Sequence, residues 1–292
     1  MKPTINKKFT MLVISIVCIA LIFAPVCNAG LNTQRLLKKG IKKIDLPKTI
    51  IDKEEDGTEH WALLFAVGEY YKHPDQNRPS MLQAVDDLYD VLTNSPEWKP
   101  ENIHVVKANQ ATGVNLIREL LWLIRNENSD DYSLIYITTH GYFLNSDTPP
   151  KDEADGKDEI LVMYHGFERS YAYIWDDLLN FFISLLQSKG VCLIVDSCYA
   201  GGFNDYPMFN QDRVTLMSSR EDESCYGSYF SDYIIDGLWG LADLFGNQDG
   251  INSAEEAFNY ARFWIELFHS FHPTMRDLYP LSDPLSGEFP IT

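Results

Sequence analysis

Residues 191–202 read VCLIVDSCYAGG, and this stretch decides the fold. Its first five residues form a continuous apolar run, which is typical of a strand buried on both faces of a sheet. Asp196-Ser197-Cys198 follow directly, and the glycines at 201 and 202 allow a tight turn that keeps the thiol exposed. The sequence therefore predicts a reactive cysteine at the carboxyl end of a buried strand.

Further apolar runs alternate with stretches of helical spacing. Strands are predicted at 61–67, 103–106, 133–138, 191–195 and 214–217, with half of a hairpin at 160–164. Helices are predicted at 81–92, 112–124, 174–186, 229–241 and 253–268. This alternation favours an α/β fold, a three-layer sandwich with a mostly parallel sheet flanked by helices.

A histidine follows the strand at 133–138 just as Cys198 follows its own strand. His140-Gly141 come directly after that run. Since ligands bind outside the carboxyl ends of parallel strands, His140 and Cys198 are expected at one edge of the sheet. A thiolate nucleophile needs an imidazole to move protons, which makes Cys198 the predicted nucleophile and His140 its partner. The N–H groups of Gly141 and Cys198 are predicted to form the oxyanion hole.

The other cysteines and histidines have different settings. Cys192 lies inside the apolar run and is interpreted as structural, as is Cys225 in a loop. A disulfide between them stays open. His165 is also followed by glycine, and spacing alone favours His140 over it.

Together these segments resemble the caspase-like clan of cysteine peptidases, which includes caspases, metacaspases and legumains. YITTHG at 136–141 and CLIVDSCYAGG at 192–202 are similar to its histidine and cysteine motifs, and the likeness runs from about 61 to 261. The resemblance implies a six-stranded sheet flanked by helices and a cysteine endopeptidase that works through a His-Cys dyad and an acyl-enzyme. Protein or peptide substrates are implied, with no cofactor required for the chemistry.

The resemblance also addresses substrate choice. Asp196 matches the acid that lines the pocket for the residue before the cut in metacaspases, which implies cleavage after Arg or Lys. Legumains carry an acid there too, but use an arginine to accept Asn, and Arg78 is the candidate for that role. Asp86 or Asp87 is a candidate second acid of the pocket, although a helix-surface charge is favoured for both.

Two further functional classes stay open. A legumain-like enzyme can pass the acyl group to an amine and act as a transpeptidase. A catalytically silent caspase-like module would instead bind peptides or partners, and intact Cys198 and His140 speak against that alternative.

Calcium is a candidate activator, as in some metacaspases. The carboxylates Asp152, Glu153, Asp155, Asp158 and Glu159 form the denser acidic cluster, although a solvated loop is the favoured interpretation. A second acidic stretch at 247–256 departs from the EF-hand pattern and is interpreted as a turn between helices.

The ends of the chain differ from its body. Residues 1–29 have lysines, a 16-residue apolar run and small residues, which predicts a cleaved secretory signal and an extracytoplasmic protein. An uncleaved membrane anchor is the alternative. Residues 30–58 are predicted to be a linker or pro-segment, 59–268 the peptidase domain, and 269–292 a tail that packs back or covers the site.

The charge balance of the 292-residue chain bears on its partners. The formal net charge of −18 argues against nucleic acid, because that partner rewards Lys and Arg. The oligomeric state stays open.

Overall fold

A six-stranded sheet forms the centre of the protein. The computed structural model describes residues 57–145, 155–204, 212–280 and 287–292. Its strands are β1 His60–Ala66, β2 Ile103–Lys107, β3 Tyr132–Thr138, β7 Gly190–Asp196, β8 Arg213–Met217 and β9 Thr274–Asp277. Their order in the sheet is β2-β1-β3-β7-β8-β9, and every neighbouring pair is parallel except β8 and β9.

A second, antiparallel sheet of three short strands begins just after the carboxyl end of β3. It consists of β4 Gly141–Leu144, β5 Asp158–Val162 and β6 Tyr173–Trp175, in the order β4-β5-β6. Because β4 begins one residue after His140, this small sheet starts at the histidine that the sequence singles out.

Helices cover both faces of the large sheet. They are α1 Pro79–Asn94, α2 Gly113–Asn126, α3 Asp176–Ser184, α4 Tyr229–Asp236, α5 Ala242–Phe245 and α6 Ala254–Phe268. Buried residues of α1, α4 and α6 share one apolar core, whereas those of α2 and α3 share the other. The predicted α/β three-layer sandwich is therefore confirmed.

The two cores explain why the central strands are apolar throughout. Along β1, Ala62, Leu64 and Ala66 enter one core, while the alternate residues Leu63 and Phe65 enter the other. Successive side chains of a strand point to opposite faces, so a strand covered on both sides needs apolar residues at every position.

Local capping fixes two of the helices. The Thr112 hydroxyl accepts from the Asn115 N–H and begins α2, as predicted. Ser253 and Glu256 form a capping box at the start of α6. Glu256 also accepts from the Asn247 N–H, so the acidic stretch at 247–256 is a turn between helices.

Two predicted helices differ from the structure. The helix expected over 174–186 begins only at Asp176, because Tyr173–Trp175 pair with β5. The helix expected over 229–241 passes into a π-helical turn at Gly237–Leu241, where Gly240 adopts φ 110°.

The C-terminal region predicted as a tail contributes to the domain. Thr274–Asp277 form the edge strand β9, and Phe289 and Ile291 are buried in the core. The Trp98 indole also donates to the Ile291 carbonyl at 2.6 Å. The folded domain thus extends beyond residue 268. The predicted signal and residues 30–56 lie outside the described residues. Among the residues that the structure describes, no helix is long and apolar enough to cross a membrane.

Candidate active site

The carboxyl ends of β3 and β7 bring the predicted pair together. Thr138 lies opposite Asp196 in the parallel register, and the Thr139 N–H donates to the Asp196 carbonyl at 3.2 Å. His140 and Cys198 each follow two residues after this aligned pair. Both line one pocket of about 260 Å³, whose wall consists of Arg78, Ser80, Met81, Thr139, His140, Asp196, Ser197, Cys198, Cys225, Tyr226, Gly227 and Ser228.

His140 is held by the loop that follows β1. Its main-chain N–H donates to the Tyr70 hydroxyl at 2.9 Å, and that hydroxyl lies 2.9 Å from the Thr139 Oγ1. The Thr139 hydroxyl in turn donates to the Val162 carbonyl at 2.6 Å. The rings of Tyr70 and Phe167 pack against the imidazole at 5.0 and 5.7 Å between centroids. The histidine is therefore fixed in both main chain and ring.

One ring nitrogen of His140 already has a partner. The Nε2 atom lies 2.9 Å from the Gln76 carbonyl oxygen, which can only accept, so Nε2 carries a proton. In the neutral imidazole Nδ1 is then the basic nitrogen. Burial is the main cause that lowers the pKa of His140. The hydrogen bond to the Gln76 carbonyl opposes this, and the positive charge of Arg78 lowers the pKa further. The ring is accordingly neutral near pH 7 and suited to accept a proton.

Cys198 sits at a sharp turn after β7. Tyr199 has φ 59°, in the left-handed region, and its N–H donates to the Glu223 carbonyl at 2.9 Å. The Cys198 thiol is half-buried and donates to the Cys225 carbonyl at 3.1 Å. A hydrogen bond from the Cys225 side chain, supported by Ser224, lowers the pKa of Cys198 to about 7 against the opposing effects of burial and the Asp196 charge. A large share of the thiol is then ionised at neutral pH.

Gly141 lies directly against the main chain of Cys198. A Cβ at this position would lie 2.0 Å from the Cys198 carbonyl oxygen and 2.9 Å from the Ser197 Oγ. Since no side chain fits there, glycine is required for the close approach of the two segments. The two main chains whose N–H groups are predicted to hold the oxyanion are thus adjacent.

Asp196 forms the acidic wall of the pocket. It is only 4% exposed, and its carboxylate accepts a hydrogen bond from the Ser231 hydroxyl of α4. Ser231 is in turn 2.6 Å from the Tyr136 hydroxyl. Burial raises the pKa of Asp196 to about 6, although the hydrogen bonds from Ser231 and Ser218 oppose the rise. Asp196 is therefore mainly ionised at neutral pH and able to pair with a cation.

Arg78 is the one basic residue on the pocket wall. Its guanidinium donates to the main-chain carbonyls of Asp75 and Asn77, at 3.3 and 2.8 Å. These bonds hold the guanidinium against the loop that carries Gln76.

The alternative residues lie elsewhere. His165 packs against Tyr71 and Tyr164 and does not line the pocket, and Cys192 is fully buried in the interior of β7. Asp86 pairs with Lys107 at 2.6 Å on the surface. Asp87 lines a separate acidic hollow between α1 and α4, so neither acid belongs to the pocket.

The described part of the acidic loop offers no calcium site. Asp155 pairs with Lys157 at 2.6 Å, whereas Asp158 and Glu159 are buried within β5. The Glu159 carboxylate packs against the main chain of Gly202, where a Cβ would lie 1.9 Å from it. Among the described residues no three carboxylate, imidazole or thiol groups are placed to share a metal ion. The candidates Asp152 and Glu153 lie outside the described residues.

Three site groups were missed by the sequence analysis. Cys225 was interpreted as structural, yet its thiol and carbonyl both contact Cys198. Tyr70 and Gln76 reach His140 from a loop far away in sequence. A tyrosine just after the first buried strand is a weak signal for such a role, and a main-chain carbonyl leaves none.

A mixed sheet with a cysteine and a histidine at its carboxyl edge resembles the caspase-like α/β fold, and comparisons with known proteins show which families the chain is similar to. Residues 80–207 match the family described as "Metacaspase, peptidase C14 domain", a segment that contains His140, Asp196 and Cys198. Metacaspase-1 of Saccharomyces cerevisiae is 26% identical over 129 residues, covering 41% of this chain and 29% of the yeast protein. Metacaspase-1B of Neurospora crassa is 25% identical over 211 residues, covering 67% and 48%.

Solved structures agree at the level of the fold. Caspase-1 from Spodoptera frugiperda superposes with a TM-score of 0.51 at 11% identity, covering 76% of this chain and 87% of the insect protein. A Geobacter sulfurreducens protein gives 0.52 at 12% identity, covering 75% and 92%. The family match and the relatives make the chain similar to the caspase-like clan of cysteine peptidases, and the solved structures show the same fold.

The matched family is described as a peptidase, in agreement with the enzyme class expected from the sequence. The chain spans less than half the length of the curated relatives it matches, so the specific activities of those whole proteins carry over only as a proposal.

Proposed function

We propose that this protein is a cysteine endopeptidase in which Cys198 is the nucleophile and His140 the acid–base partner. The observation that carries the proposal is the single pocket at the carboxyl edge of the sheet, lined by both residues and by Asp196. The lowered pKa values of the thiol and the imidazole support it, because a more acidic thiol gives up its proton more readily and a neutral ring can accept that proton.

The reaction follows from this arrangement. The Cys198 thiolate attacks the scissile carbonyl, and the N–H groups of Gly141 and Cys198 stabilise the oxyanion. Nδ1 of His140 takes the thiol proton as Cys198 ionises and then delivers that proton to the departing amine, which leaves an acyl-enzyme. The ring then removes a proton from the water that hydrolyses the thioester, and the Gln76 carbonyl holds Nε2 while Nδ1 does this work.

We propose Arg or Lys as the residue before the cut. Asp196 is the buried acid of the pocket, and its carboxylate is mainly ionised near neutral pH because its pKa is about 6. A guanidinium or ammonium entering the pocket would pair with it, whereas an aspartate side chain would be repelled.

A second substrate choice has one observation in its favour. Arg78 and Asp196 line the same pocket, so a donor and an acceptor face it together. An asparagine amide needs both, which is why Asn is the alternative to a basic residue.

The test is a panel of short fluorogenic peptides that end in Arg, Lys, Asn or Asp. We expect cleavage after Arg and Lys, and an Asp196→Asn variant should lose about 100-fold in kcat/KM on those two peptides alone. The amide can still accept from Ser231, so the pocket keeps its shape. Asp232→Asn is the matched control, since Asp232 follows Ser231 on α4 but lies outside this pocket.

The other outcomes separate the alternatives. Preferred cleavage after Asn that falls in an Arg78→Gln variant would replace the proposed specificity. An amide product formed in the presence of an added amine would indicate transpeptidation. Absence of cleavage with and without calcium, from folded protein, would favour a peptide-binding module. Activation by calcium and loss with a chelator would support the metal as an activator.

We also propose that the catalytic domain is exported. The support is the basic and apolar character of residues 1–29, which lie outside the described residues. Sequencing the mature N-terminus tests this: a start at Gly30 supports cleavage, and a start at Met1 supports the anchor or an unexported chain.

A further inference from the structure

The pocket contains a second thiol beside the nucleophile. The Cys198 Sγ lies 3.1 Å from the Cys225 carbonyl oxygen, and the two thiols are close enough for each to shift the pKa of the other. The Cys225 Sγ is 3.5 Å from the Ser218 Oγ and 4.0 Å from an Asp196 carboxylate oxygen. Both cysteines are free and both line the pocket. Two thiols therefore meet where the chemistry is expected.

The loop that carries Cys225 is fastened to the residue after Cys198. The Tyr199 N–H donates to the Glu223 carbonyl at 2.9 Å, and the Ser224 hydroxyl lies 3.0 Å from the Tyr199 hydroxyl. The Glu223 carboxylate accepts from the His272 N–H at 2.7 Å, which anchors the loop on its other side. These bonds hold the second thiol next to the first, so its position does not depend on a chance encounter.

The two thiols differ in ionisation. The hydrogen bond from Cys225 lowers the pKa of Cys198, while that bond and burial raise the pKa of Cys225 well above the ordinary value. At neutral pH the pair thus consists of one partly ionised sulfur and one protonated sulfur. A thiolate reacts with peroxides and a neighbouring protonated thiol can then resolve the product, which is the division of roles found in redox-active pairs.

We propose that Cys198 and Cys225 form a reversible disulfide, with Cys225 acting as the resolving thiol after a peroxide has oxidised Cys198. The Cys198 thiolate attacks one peroxide oxygen and the O–O bond breaks. With hydrogen peroxide the departing hydroxide takes up a proton as water, and Cys198 becomes a sulfenic acid. The Cys225 sulfur then attacks the Cys198 sulfur, the S–O bond breaks, and the hydroxyl leaves with the Cys225 proton as a second water.

The balance is two thiols and one peroxide giving one disulfide and two waters. In this state the nucleophile is sequestered, so any peptidase activity stops. The sulfur is also protected from further oxidation to sulfinic and sulfonic acids, which simple thiols do not reverse. Only the loss of activity rests on the proposed function, since the disulfide itself needs no peptide substrate.

The experiment treats the purified protein with hydrogen peroxide, blocks free thiols under denaturing conditions, and maps the peptides by mass spectrometry. We expect a cross-linked pair of peptides that contain Cys198 and Cys225, lighter by two hydrogens. Dithiothreitol should restore both free thiols and most of the starting activity.

A Cys225→Ser variant separates the resolving role from simple oxidation. It should form no such cross-link, accumulate sulfinic and sulfonic acid at Cys198, and recover less than about a tenth of its activity in dithiothreitol. A Cys192→Ala variant is the matched control and should behave as the parent does, because Cys192 is buried away from the pocket.

Two results overturn the proposal. One is sulfinic acid at Cys198 at equal rates in the parent and in Cys225→Ser. The other is a disulfide that joins Cys198 to any other cysteine. A cross-link between Cys198 and Cys225 in a protein without peptidase activity would reject the proposed function alone, whereas an active protein without the cross-link would reject this inference alone.

Discussion

Cys192 lies in the interior of β7, and Cys198 lies just past its carboxyl end. Cys192 is fully buried, and burial raises its pKa well above the ordinary thiol value. Cys198 is half-buried, and hydrogen bonds lower its pKa to about 7. The same side chain is therefore buried packing in one place and the proposed nucleophile in the other, because only the strand end offers loops, polar partners and a pocket.

The largest effect that distinguishes the two regions is on the chemical step. We expect Cys198→Ala to lower kcat/KM by at least about 1000-fold, because the nucleophile is removed. Cys192→Ala should keep activity within about threefold and lower the free energy of unfolding by about 1–2 kcal/mol, since it leaves a small cavity in the core. Peptide hydrolysis and urea unfolding measure the two. Equal losses of kcat/KM in Cys198→Ala and Cys192→Ala would show that the two cysteines do not differ in function.

A change at the edge that adds only a methyl group is the next test. Gly141→Ala should lower kcat/KM by about 100-fold, because its Cβ would collide with the Cys198 carbonyl oxygen and displace the nucleophile. Gly113→Ala is the control: its Cβ would meet only the flexible end of Ile174, at 3.1 Å. Retained activity in Gly141→Ala would show that the two segments separate without consequence.

The support of the histidine gives a smaller effect. Tyr70→Phe removes the acceptor of the His140 N–H, a loss of about 1–2 kcal/mol in positioning. We expect kcat to fall about tenfold with KM unchanged, which a loss of folded protein alone would not produce once active sites are titrated. Tyr71→Phe, whose ring packs against His165 rather than His140, should match the parent. A change confined to KM would contradict the positioning role.

The smallest expected effect is on pH dependence. Alkylation of Cys198 by iodoacetamide should rise with ionisation of the thiol, with its midpoint at a pH of about 7. In Cys225→Ala the missing hydrogen bond raises the pKa of Cys198, so the midpoint moves up and the rate at pH 6.5 falls about three- to tenfold. An unchanged midpoint would assign the lowered pKa of Cys198 to other neighbours.

The central strands could be predicted because burial on both faces requires apolar runs, and such runs are local features of the sequence. The interiors of β1, β3 and β7 are mainly apolar since both faces are covered, and such runs are visible without a structure. His140 and Cys198 follow two of them directly, which placed both at one edge.

The short elements could not be predicted in the same way. The strands β4, β6 and β9 have three or four residues each, too few for a periodic pattern, and they exist because longer strands offer them partners. The position of Cys225 has a similar origin, since its loop is held by bonds to Tyr199 and His272 from distant parts of the chain. Tertiary contacts of this kind leave no local signal.

The Gln76 carbonyl accepts a hydrogen bond from the His140 Nε2–H, and this contact has a genetic consequence. This acceptor belongs to the main chain, so every amino acid at position 76 would supply it. An alanine scan would identify the cysteine and the histidine and pass over the third group without a phenotype. Selection on this part of the site would then act on the shape of the loop, through neighbours such as Asn77, whose side chain accepts from the Tyr70 N–H. The identity of residue 76 itself would be free to drift.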